Sequence, residues 1–130
     1  MAQAKDLIAL GLPAEVAKRV GFDVQAKATN GSTQGSTGGL LTGPGNKLVL
    51  ATITSASDAL TLPSAADIGD IVIVANLTGS SGFVFPQSGG TLNNGTANQK
   101  ATLAANIVAI FVKATATNWK CSVSAAVTLS

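Results

Sequence analysis

LTLPSAADIGDIVIVANLTGSSGFVFPQSGG, residues 60–90, is the stretch whose reading decides the fold. It is apolar and dense in turn residues, and its only ionisable side chains are Asp67 and Asp70. The run IVIVA (Ile71 to Ala75) and the later IVAIFV (Ile107 to Val112) are the longest unbroken apolar runs. Both fall far short of the roughly 20 residues that cross a bilayer. Bounded by Gly, Pro, Asn and Ser, they read as strands, with Pro63, Gly69 and Gly79 marking the turns between strands.

Working outward from residues 60–90, the same period of two extends in both directions. Strands are expected near 47–54, 59–62, 70–76, 82–85, 100–105, 107–113, 118–123 and 125–129. Short strands at near-regular spacing, with no helix-length segment between them, predict an antiparallel β-sandwich or jelly roll over residues 47–130 and exclude parallel β/α folds.

Upstream, ATNGSTQGSTGGLLTGPGN (28–46) is dominated by Gly, Ser and Thr and reads as a linker or extended arm. Before it, residues 1–27 read as an N-terminal helical anchor. AQAKDLIAL closes at Gly11, Pro13 opens PAEVAKRV, and Gly21 closes that in turn. Leu7, Ile8, Leu12, Val16 and Val20 form one apolar side, with Glu15, Lys18 and Arg19 elsewhere. Isolated helices this short are marginal in water, so the pair must dock on something. It either caps the chain's own β core or anchors it to a partner; the long polar arm favours the anchor.

Composition removes most chemistry. The 130 residues contain no His, no Tyr and one Cys, so the commonest general base, the commonest metal ligand and any Cys/His cluster are missing. Lone Cys121 cannot pair within the chain. The charge of +2 comes from eight bases and six acids, with Lys18 and Arg19 the only adjacent bases, so no basic stripe exists to follow a phosphate backbone. No enzymatic activity, cofactor, metal, nucleic acid or membrane partner is expected. The N-terminus does not resemble a signal peptide, so synthesis and folding in a cytoplasm are expected, and the Asn30, Asn76 and Asn94 sequons are expected to be turn chemistry. Mean hydropathy is +0.40 with aromatics at 4%, so some apolar surface is expected to be covered by other subunits.

Residues 59–120 carry a family resemblance. Leu62-Pro63 precedes Gly69-Asp70, an alternating strand ends at Asn76, and Phe85-Pro86 is followed by Gly89. Asn94-Gly95, the small-residue run Ala101 to Ala105 and Trp119 complete the order. This order resembles a β domain of tailed-bacteriophage virion proteins, including head fibres and capsid decoration (cement) proteins. The resemblance implies an antiparallel β domain, commonly a homotrimer, displayed on a capsid and bound to the major capsid protein. The long arm and the missing fibre shaft favour a decoration protein or a short head fibre. The chain is accordingly expected to be a non-enzymatic virion structural protein, made in the bacterial host cytoplasm and located on the capsid surface. Leu7, Ile8, Leu12, Val16 and Val20 are its expected capsid anchor.

An alternative function is a glycan- or host-surface-binding module. Jelly-roll folds include lectins, and the loop PQSGGTLNNGTANQ (86–99) carries amides and hydroxyls. Asn93, Asn94 and Trp119 are its candidate recognition residues; a lone Trp beside Lys120 in an alternating strand reads first as a core or interface anchor, and in this alternative as a stacking platform. Asp58, Asp67 and Asp70 are the only acids of the β region, too few for the oxygen ligands calcium needs, so they read as turn residues.

Overall fold

Along Lys47–Ile53 every second residue, Lys47, Val49, Ala51 and Ile53, is buried, and along Ile71–Asn76 the same holds for Val72, Val74 and Asn76. That alternation gives each strand one face for the core and one for the outside. The structure is a computed structural model and describes residues 21–29 and 31–130. The expected helical anchor, with Leu7, Ile8, Leu12, Val16 and Val20, lies outside the described residues.

The chain winds into stacked coils. β1 (Asp23–Thr29), a 3-10 turn at Thr37–Gly39 and the bridging residue Leu40 make the first. β2 (Lys47–Ile53) with β3 (Ala59–Thr61) makes the second, and β4 (Ile71–Asn76) with β5 (Gly82–Phe85) the third. After the two-residue β6 (Thr91–Leu92) the chain runs back through β7 (Ala101–Leu103) and β8 (Val108–Lys113), then forward again through β9 (Asn118–Cys121) and β10 (Val127–Leu129). One wall is a six-stranded sheet in the order β1-β2-β4-β8-β9-β6, the other a four-stranded sheet in the order β10-β7-β5-β3.

This is a β-solenoid, and it overturns the antiparallel sandwich or jelly roll expected from the sequence. The pairs β1/β2, β2/β4, β3/β5 and β6/β9 are parallel. Parallel neighbours need a crossover of a dozen residues or more, usually a helix. Here the crossover is the opposite wall's strand with a corner on each side, so no helix is required. Asp23 stands opposite Lys47 and Lys47 opposite Val72, about two dozen residues per coil. Only β4/β8, β8/β9, β5/β7 and β7/β10 are antiparallel, where the winding reverses.

The domain boundaries shift with the fold. β1 crosses the limit expected at residue 27, so residues 23–27 belong to the sheet rather than to a helical anchor. The segment read as a linker is a wall of the first coil: the Leu41 N–H donates to Thr61 O at 3.0 Å, the Ala59 N–H to Gly31 O at 2.8 Å, and Leu41 is in the core. Gly39 lies so close to β3 that a Cβ there would sit 1.9 Å from Ala59 O.

Between the walls, Leu41, Val49, Leu60, Leu62, Val72, Val74, Val84, Leu92, Phe111 and Trp119 pack into one core. Side chains satisfy the polar corners. The buried Lys47 ammonium donates to Gly43 O at 2.9 Å and Pro44 O at 3.1 Å, and Lys113 Nζ donates to Ala66 O at 2.7 Å and Ser64 O at 3.2 Å. Asp70 Oδ2 accepts the Gly45 and Asp67 N–H groups at 2.8 Å each. Buried charges are tolerable only when bonded in this way.

Candidate interaction surfaces

The ladder register decides what the six-stranded sheet shows to the outside. With Val49, Val72 and Phe111 facing the core, the residues between them face out. Val24, Leu48, Ile73 and Ile110 fall on one row across four strands, and Ala26, Leu50, Ala75 and Val108 on the next. A third row holds Ile71, Val112 and Lys120. Leu77, just past β4, continues the same face and is 57% exposed; Val108 is 60% and Ile110 48% exposed. The sequence showed the alternation in IVIVAN and VAIFVK, but which residues of separate strands align became visible only with the register.

A groove of about 470 Å³ opens at the corner where the first three coils turn. Leu40, Thr42, Thr61, Ser64, Gln87 and Ser88 line it, among others. It carries no ionisable side chain. Gln87 is committed elsewhere: its Oε1 accepts the Trp119 indole N–H at 2.7 Å and its Nε2 donates to Ala116 O at 3.2 Å. Sequence reading missed this groove because its residues come from loops far apart in the chain.

The recognition residues expected for a glycan site do not come together on the surface. Trp119 is fully buried in the core, its indole N–H on Gln87, and has no face to offer a sugar. Asn93 is structural. Its Nδ2 donates to Cys121 O and its Oδ1 accepts the Cys121 N–H, both at 2.9 Å, so the amide extends the β6/β9 ladder by one rung. Asn94 is exposed with φ 59°, and its backbone N–H donates to Asn118 Oδ1 at 2.9 Å. Only its side chain is on offer.

The titratable groups behave as structural ones. Thr54 hydroxyl bonding to Asp58 holds this carboxyl below the ordinary range, burial opposing and the Ser55 N–H and hydroxyl reinforcing the effect. Burial pushes the Cys121 thiol up, with Asn93 pulling weakly the other way, so the sulfur stays a thiol near neutrality. Among the described residues no group of three or more His, Cys, Asp or Glu could hold a metal ion, and no helix is long and apolar enough to cross a membrane. Compared with known proteins, the chain matches no family model and no curated protein.

Proposed function

We propose that this chain is a non-enzymatic structural building block of a tailed-phage virion, a capsid decoration protein or short head fibre that associates with itself and with the major capsid protein. The observation that carries the reading is the aliphatic outer face of the six-stranded sheet, where Leu77, Val108 and Ile110 stand in water on a ladder of Val, Leu and Ile. Apolar patches of this kind mark surfaces made to be covered. The family resemblance over residues 59–120 supplies the setting. On a capsid lattice, many weak contacts held together give tight attachment without a titratable group.

The test is microscopy of the particle. Gold-labelled antibody against the chain is applied to particles from the culture that makes it. Label distributed over heads is the expected result; label confined to soluble protein, or to tails, overturns the assignment. In the glycan-binding alternative, the Trp119 platform is lost to burial.

A further inference from the structure

We infer that the outer face of the six-stranded sheet is covered by the same face of a second copy of this chain, in a two-fold pair. The inference rests on the self-associating part of the proposed function and names the surface and the occupant.

Three observations select a second copy. The first is concentration of apolar exposure: among the described residues, the exposed Val108 and Ile110 of β8 and Leu77 just past β4 share this one face, whereas Leu40, Ile68 and Val123 are scattered over loops. The second is area. Strands β1, β2, β4, β8 and β9, each about 4.8 Å wide, cover about 24 Å, and the three outward rows, each about 6.8 Å deep, cover about 20 Å. That is on the order of 500 Å² per copy, so two faces together remove about 1,000 Å² from water, the level at which a specific contact becomes credible.

The third is charge. Among the outward-facing residues of these strands, Lys120 on β9 is the sole charged group. A two-fold axis parallel to the strands and passing near β4 lays β9 of one copy over β1 of the other. There Lys120, one row before the Val24 row, meets the start of β1 beside Val24 rather than the other Lys120. Two such flat ladders stack as aligned sheets about 10 Å apart, side chains interdigitating. An interface of this size on its own gives a weak pair, which a capsid lattice would strengthen by holding copies close.

Sedimentation of the full chain across a concentration series from micromolar to millimolar reads this out, with Ile110→Lys and Val108→Lys as variants. Both positions are exposed, and a thermal melt matching that of the unchanged chain shows that each variant folds. The unchanged chain should move from 12.8 kDa towards twice that mass. Either variant should weaken association at least about tenfold. A chain that stays monomeric throughout overturns both the pair and the self-association it rests on. If the chain associates but both variants do so equally well, the face is wrong and self-association stands. A three-copy mass overturns the two-fold arrangement, and label missing from capsids bears only on the virion assignment.

Discussion

Two segments of this molecule look alike in composition and do opposite things. Residues 28–46 and 86–99 are both rich in Gly, Ser, Thr and Asn, and both read as loops. The first continues the winding: Gly39 presses against β3, Leu40 bridges Thr61 in parallel, and Leu41 fills the core. The second ends it. Asn93, Asn94 and Asn98 take positive φ values of 51°, 59° and 63°, a conformation Asn tolerates better than other side chains, and the chain returns antiparallel through β7 and β8. Small residues therefore do not mean slack here. Close backbone approach keeps one segment in the coil, and left-handed turns with amide caps turn the other back.

The comparison can be broken at the end segment first. Trp119→Ala removes the largest buried side chain and leaves Gln87 without its indole partner, and should cost about 3–5 kcal/mol in denaturant unfolding. If Trp119 were a surface platform instead, the loss would be under about 0.5 kcal/mol. Next comes the arm: Gly39→Ala places a methyl group against Ala59 O and should destabilise by about 1–3 kcal/mol, with hydrogen exchange rising first at Ala59 and Leu41. A true linker would ignore the change.

Asn93→Ala opens the amide rung on Cys121 and should cost about 1–2 kcal/mol, while Asn93→Asp, which keeps only the acceptor, recovers part of it. The smallest effect is in acid. Because folding lowers the Asp58 pKa, its contribution is present above the ordinary carboxylate range and is lost as pH falls through the lowered value. Asp58→Asn should flatten the acid limb of a stability-against-pH curve and leave the neutral limb's slope unchanged.

The eight expected strands all appear, with ends trimmed by one or two residues in most cases. They were legible because IVIVAN, GFVF and VAIFVK alternate against a core and are bounded by Gly, Pro and Asn. β1 was not picked out because its alternation is inverted: Val24, Ala26 and Ala28 face outward, while the polar Gln25 and Lys27 occupy the positions in register with the core residues Val49 and Ala51. β6 is two residues long, held by Thr91 and Leu92 beside Asn118 and Trp119, and carries no period at all. Trp119 was readable as a core anchor and as a stacking platform alike, since its fate depends on Gln87, 32 positions away.

By itself, the sequence determined where most of the chain beyond residue 46 is extended, that those strands alternate, and that almost no titratable chemistry is at hand. Tertiary structure alone decided that neighbouring strands run parallel, that the polar arm is a wall, and that Ile73 and Ile110 share a row. The physical reason is that alternation records only burial of a residue's own side chain. Every strand offers the same row of N–H and C=O groups to either direction of partner, so the partner is chosen by how corners, core volume and chain reversal close together.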